Sequence, residues 1–206
     1  MTKGWHTCAF SACVAFAAFA PVSHADSAAD IGSRLHSAPV VEGHFVQRQK
    51  LVSIPKVFEC EGFFIFWEND VLLWKTVQPV RTTSVYTDQN FKTYVHLNDK
   101  TITNTSLSAT NIINRILWAL LNKDMTALEL DFQIFTQNND SGWRMDFYPR
   151  SNMTGSIVKH VLVEGASAPQ KIVVENYSND ITTLEISEIT RSEISSSRQE
   201  NELANP

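Results

Sequence analysis

Between Gly43 and Pro79 the chain is apolar on two faces at once. In a strand, alternate side chains point to opposite sides of the sheet. Over residues 58–67 the even positions are Phe58, Cys60, Gly62, Phe64 and Phe66, and the next run adds Leu72 and Trp74. The charged residues Glu59, Glu61 and Lys75 mark the odd positions as the wetter face, yet Phe63, Ile65, Trp67, Val71 and Leu73 also lie there. An antiparallel sheet needs only one dry face. The surplus predicts a cover over the second one: another layer, a partner or a lipid.

The rest of the pattern is a meander interrupted by helix. From Val41 to about Thr105, turn clusters recur near Ile54-Pro55, Glu68-Asn-Asp70, Gln78-Pro79, Thr87-Asp-Gln-Asn90 and Asn98-Asp-Lys100. A spacing of roughly ten residues between turns predicts antiparallel strands. Residues 109–130 change period. Ile112, Ile113, Ile116, Leu117, Leu120 and Leu121 recur at three and four, which predicts an amphipathic helix with a wide apolar stripe. Asp124 can cap a second short helix holding Leu128. Strands then resume at Trp143, Met145 and Phe147, and over 156–164, 171–177 and 181–189. At the start, Asp/Ser caps with Ile31 and Leu35 four apart predict a short helix within 26–37. Residues 191–206 are Ser/Glu/Asn-rich, with Ile194 and Leu203 as their bulky aliphatics, and are expected to be a disordered polar tail.

The first residues read as a secretory signal. Lys3 supplies the positive end, Cys8 to Val22 the apolar run, and Ser23-His24-Ala25 a small-x-small cleavage site. Phe10-Ser11-Ala12-Cys13 resembles a lipid-attachment box, but apolar residues continue past Cys13. The expected organisation is a signal peptide over 1–25, one domain over 26–190 and the tail over 191–206. Removing 25 of 206 residues leaves 181, enough for one sizeable core. Lys3 leaves with the signal and takes the formal charge from −5 to −6. That acidity argues against a nucleic-acid partner, which calls for a basic face. Two of the three cysteines leave as well. Cys60 then has no internal disulfide partner, so the core must stabilise an exported fold.

Candidate chemistry is sparse. His36, His44, His96 and His160 show no metal-ligand spacing, so no metal and no cofactor are expected. There is no phosphate-cradling loop among the seven glycines. Gly165-Ala-Ser167-Ala-Pro169 lacks the second glycine of a nucleophile elbow. The pair Glu59/Glu61 fits a solvated strand face better than general acid–base work. The reading is of a non-enzyme.

Several motifs carry a family resemblance. Gly43-His-Phe45-Val-Gln47-Arg-Gln-Lys50-Leu51 is similar to G-x-F-x-Q-x-K. Gly62-Phe-Phe-Ile-Phe66 with Leu73-Trp74-Lys-Thr-Val-Gln-Pro79 is similar to a strand, a turn, L-x-W and proline. Leu121-Asn-Lys-Asp124-Met-Thr-Ala127-Leu128 and the following Phe132 resemble G-D-x-x-A-L-x-x-x-F. Gly142-Trp143-Arg-Met-Asp-Phe-Tyr-Pro149 resembles G-W-x-L-x-L-x-P, and Asn179-Asp180-Ile-Thr182 a Gly-Asp-x-Thr turn. In this order the motifs resemble the periplasmic outer-membrane lipoprotein carriers of the LolA type, and more closely a divergent LolA-like branch. Two positions depart: Glu68 stands where well-studied carriers have a basic lid-holding residue, and Lys123 where the branch prefers Gly.

The resemblance implies an incomplete antiparallel β-barrel, a curved sheet covered by a helical lid and enclosing a hydrophobic cavity for acyl chains. It implies a monomeric periplasmic carrier or chaperone for lipoproteins or lipid-linked products bound for the outer membrane. An inner-membrane donor complex and an outer-membrane acceptor would be its partners. The alternatives are a glycolipid or polyene-lipid cargo, and a non-lipid periplasmic adaptor. The expected cavity lining is Phe64, Phe66, Leu72 and Trp74 from the sheet, with Ile116, Trp118 and Leu120 from the helix.

Overall fold

The computed structural model describes residues 28–87, 91–97, 100–104, 109–139, 141–150 and 158–204. The expected signal peptide and its cleavage site lie outside them. The described residues form one antiparallel sheet of eleven strands and four helices. The strands are β1 (Val40–Lys50), β2 (Val57–Trp67), β3 (Val71–Gln78), β4 (Thr82–Tyr86), β5 (Phe91–Leu97), β6 (Lys100–Asn104), β7 (Phe132–Asn139), β8 (Gly142–Pro149), β9 (His160–Gly165), β10 (Pro169–Glu175) and β11 (Ile181–Ser192). The helices are α1 (Ala28–Arg34), α2 (Ala109–Leu121), α3 (Met125–Asp131) and α4 (Ser197–Ala204). The spatial order is β6-β5-β4-β3-β2-β1-β11-β10-β9-β8-β7, so the sheet is open, with edges at β6 and β7.

Both halves of the chain are meanders, joined where β1 pairs with β11. The sheet is curved enough for α2 to touch β3 and β4 on one side and β10 on the other. α1 and α3 lie against β7. A single apolar cluster fills the hollow, drawn from α1, α2, α3 and the inner faces of strands from β3 round to β7. On β2 and β3 that inner face is the even one, with Phe64, Phe66 and Leu72 at 0% exposure and Trp74 at 1%.

The odd face is covered too, and by the protein itself. Val40, Ile65 and Leu73 form a second buried cluster, with Phe63, Trp67 and Val85 packed against it. α4 lies over this outer face. Trp67 Nε1 donates to Ser195 Oγ at 2.5 Å, and Arg198 stands 5.4 Å from the centre of the Phe63 ring. Lys75 Nζ reaches Glu202 at 2.5 Å, while Arg198 and Gln199 both donate to Glu42. The expected disordered tail is therefore corrected over much of its length. β11 runs to Ser192, and residues 197–204 are a docked helix with Gln199 buried. Polar contacts hold it, which is why its composition reads as a tail.

Helix boundaries follow their punctuation. Asp124 caps α3 as expected, its Oδ1 accepting from the Ala127 N–H at 3.1 Å. Lys123 sits in the left-handed region, with φ of 58°. This is the physical reason a glycine suits that position, since a side chain there crowds the following carbonyl. Lys123→Gly is expected to raise stability by roughly 1 kcal/mol, seen as a higher thermal unfolding midpoint. An unchanged or lower midpoint would show that the Lys123 side chain compensates for the backbone.

Candidate functional site

The inner wall is built around an aromatic stack. Phe45 of β1 and Trp74 of β3 have ring centres 3.9 Å apart, nearly parallel, and Phe64 lies 6.0 Å from Trp74 on β2. Two glycines make room for these rings. A Cβ at Gly43 would meet Phe64 at 2.6 Å, and one at Gly62 would meet the tip of Phe45 at 2.9 Å. The motif glycines are thus spaces for aromatic rings in the sheet interior.

Of the expected lining residues, Phe64, Phe66, Leu72 and Trp74 come from the sheet and Ile116 and Leu120 from α2. All six are within 1% of full burial and belong to one cluster. Trp118 is only half-buried and packs against the edge of that cluster. Its ring lies 6.0 Å from Tyr86 of β4. Both border a void of about 150 Å³ that Arg115, Ala119, Asp124, Ala127 and Leu128 also line. Cys60, the one cysteine among the described residues, packs half-buried on the same inner face, where burial pushes its thiol above the ordinary range.

α2 is the unusual element. From Asn111 to Leu121 only Arg115 and Trp118 are other than buried. A helix buried around most of its circumference is a core filler, not a surface cover. Its C-terminal end is fastened to the β2–β3 turn. The Asn69 N–H donates to Asn122 Oδ1 at 2.8 Å, and Asn122 Nδ2 donates back to the Trp118 carbonyl at 3.1 Å. Glu68 in that turn is exposed. An uncharged amide, Asn122, therefore ties the helix end to the sheet beside Glu68.

Sequence reasoning missed three polar groups of α2. Asn111 and Asn114 are buried at 7% and 0% exposure. Among the described residues, neither amide atom of Asn114 has a hydrogen-bond partner, and the buried Trp118 indole N–H has none either. Their spacing of three and four places them on one helix face, a signal that the apolar stripe obscures.

Outside the hollow, Asp146 of β8 joins Arg144 through two hydrogen bonds, at 2.8 and 2.9 Å, and His160 at 2.9 Å. The Arg144 hydrogen bonds hold its carboxyl below the usual range. Arg48 likewise bridges Glu59 and Glu185, so Glu59 serves a solvated strand face. At the hairpin end of the sheet, Val52, Ile54 and Val80 are exposed on the β1–β2 and β3–β4 turns, and Val57, Phe58 and Val77 on the strand ends beside them.

No protein-family model matches the chain, and no curated protein matches it. Solved structures do resemble it in fold. A LolA superfamily protein from Nitrosomonas europaea shares 9% identity over 80% of this chain and 91% of its own, with a TM-score of 0.44. A DUF1329 family protein from Desulfovibrio piger shares 10% over 82% and 93%, with a TM-score of 0.47. A putative outer membrane lipoprotein-sorting protein domain from Vibrio parahaemolyticus shares 8% over 84% and 93%, with a TM-score of 0.45. The architecture itself is an open antiparallel sheet curved around helices.

Proposed function

We propose that this chain is an exported carrier that shields the acyl chains of a lipoprotein, or of another lipid-linked product, in transit across the periplasm to the outer membrane. One observation supports it above the rest. α2, buried on nearly every side, fills the hollow of a sheet whose two edges are unpaired with each other. Displacing one short helix opens that interior without breaking a strand pair. Each buried methylene is worth about 0.8 kcal/mol, so a lipid with two or three chains needs such cover to cross water.

In this reading Phe64, Phe66, Leu72 and Trp74 form the fixed wall, and Ile116, Trp118 and Leu120 the face that moves. The mature protein starts near Asp26 and acts as a monomer between an inner-membrane donor and an outer-membrane acceptor. The cargo arrives as an apolar tail, so no cofactor and no catalytic group enters the work. A second reading, a protein adaptor, is favoured by the exposed apolar turns at the hairpin end.

Two measurements on the mature protein test the proposal. Native mass spectrometry of protein recovered from a bacterial envelope should show bound acyl species. Hydrogen exchange should be faster at residues 112–121 than in β8, and added phospholipid should slow it, because an opening element must cost little to displace. Equal protection with no response to lipid and no acyl adduct would end the carrier reading. A stoichiometric protein complex in its place would establish the adaptor.

A further inference from the structure

The exposed apolar side chains of this protein gather at one end of the sheet. Scattered singly, such residues need no explanation. Here, among the described residues, eight of the twelve large hydrophobic side chains that face solvent lie on three neighbouring turns and the strand ends beside them. Val52 and Ile54 stand on the β1–β2 turn, Val80 on the β3–β4 turn and Tyr177 on the β10–β11 turn. The strand register brings these turns together. Lys50 pairs with Val57 on one side and with Ile181 on the other, and Gln78 pairs with Glu61. The Val52 N–H donates to Asp180 Oδ1 at 2.8 Å, which ties the first turn to the third.

Charge sets this end apart from the rest of the chain. Residues 50–58, 77–81 and 176–181 hold three cations, Lys50, Lys56 and Arg81, and one carboxylate, Asp180. Three less one leaves +2, on a chain whose formal charge is −5. All three cations are exposed, and among the described residues none of them is in an ion pair. The Asp180 carboxylate already accepts from Val52 and Asn176. The next acids along the strands, Glu59 and Glu175, pair with Arg48 and Lys159, and Glu61 is set back beside Gln78. Lys56 Nζ lies 5.7 Å from the centre of the Phe58 ring, a cation laid over apolar surface.

Apolar tips inside a cationic collar match the interface of an anionic bilayer, with aliphatic groups at the acyl boundary and Lys and Arg among the headgroups. The β3–β4 turn stops short of the β1–β2 turn, because Gln78 pairs four residues in from Val57. Turns of unequal reach do not make the closely packed core of a stable protein interface, whereas a fluid surface accepts them. Phe58 also has the parity of Cys60, Phe64 and Phe66, so the inner wall of the hollow runs out along β2 to this end.

We propose that the three turns form a shallow, reversible docking surface for a bilayer that contains anionic phospholipid. Docked in this way, the protein sets the rim of its hollow against the membrane. The surface rests on the carrier reading and gives it the place where the protein meets a membrane.

Co-sedimentation of the mature protein with vesicles tests it. Vesicles of phosphatidylethanolamine and phosphatidylglycerol are compared with vesicles of phosphatidylcholine alone. The wild type should bind the anionic vesicles better, and lose part of that binding as salt rises. Val52→Asp should weaken binding by roughly tenfold or more, the effect of keeping one aliphatic side chain out of the acyl boundary. Lys56→Gln should weaken it about fivefold on the anionic vesicles alone. Ile194→Asp is the control. Ile194 is 79% exposed, undergoes the same change of charge and follows the Ser192 end of β11, opposite the turns. It should bind as the wild type does. Wild-type affinity in Val52→Asp, or equal binding to both vesicle types at every salt concentration, would overturn the docking surface. So would a wild type that binds neither vesicle, and acyl species in native mass spectrometry would then preserve the carrier reading without it. Vesicle binding that Val52→Asp abolishes, with no acyl species found, would keep the surface and remove the carrier reading. A protein complex that Val52→Asp disrupts, with no vesicle binding, would overturn the bilayer in favour of a protein partner.

Discussion

Gly62→Ala is expected to cost the fold roughly 3 kcal/mol or more, the range of forced overpacking in a rigid site. Gly62 lies where the β2–β3 register shifts, between Glu61 and Gly62. A Cβ there would sit 1.9 Å from the Lys75 carbonyl oxygen and 2.9 Å from Phe45 Cζ. The first contact is with backbone, so no rotamer change relieves it. Relief requires moving β3 away from β2, which separates Phe45 and Phe64 from Trp74. Gly32→Ala in α1 is the control. Its added methyl meets only Met125 Cγ, at 3.8 Å, and helix interiors favour Ala over Gly by about 0.5–1 kcal/mol. Urea unfolding of the two variants should therefore shift in opposite directions. A Gly62→Ala midpoint equal to that of the wild type would mean that the sheet is far more compliant here than its packing implies.

Much of the fold was legible because the chain punctuates it. The turns at 68–70 and around Pro79 stand where expected, as do α2 and the Asp124 cap. β7 was not assigned, and the reason is local. Phe132 is at once the C-cap of α3 and the first residue of β7, so the helix enters the strand with no Gly, Pro or Asn between them. Exposed Phe135 then breaks the alternation that Phe132 begins. The interior wall was readable from the parity of Phe64, Phe66, Leu72 and Trp74. Asn114 was not, because a polar residue inside an apolar stripe reads as a tolerated exception until its missing partners are seen.

Removing residues 193–206 is expected to destabilise the protein by roughly 2–4 kcal/mol, about the value of returning one or two large side chains to water. The deletion uncovers the patch of Val40, Ile65 and Leu73 with Phe63 and Trp67 beside it. Trp67 loses its Ser195 acceptor and Phe63 its guanidinium neighbour. Trp67 emission should move to the red, and the truncated chain should bind a hydrophobic dye and self-associate. Acid should imitate part of this. Burial raises the Glu42 carboxyl, but hydrogen bonds from Arg198 and Gln199 outweigh it and hold the group below its ordinary value. Its contribution is therefore complete above the usual carboxylate range and is lost as pH falls through the depressed value. α4 should then loosen while the aromatic wall, which has no such group, stays packed. A truncated chain with wild-type stability and no exposed apolar surface would mean that α4 covers nothing of consequence. The expected outcome instead confines the search for cargo. With α4 in place the odd face has its own cover, and under the proposed carrier function the even face with α2 is the surface left to a lipid.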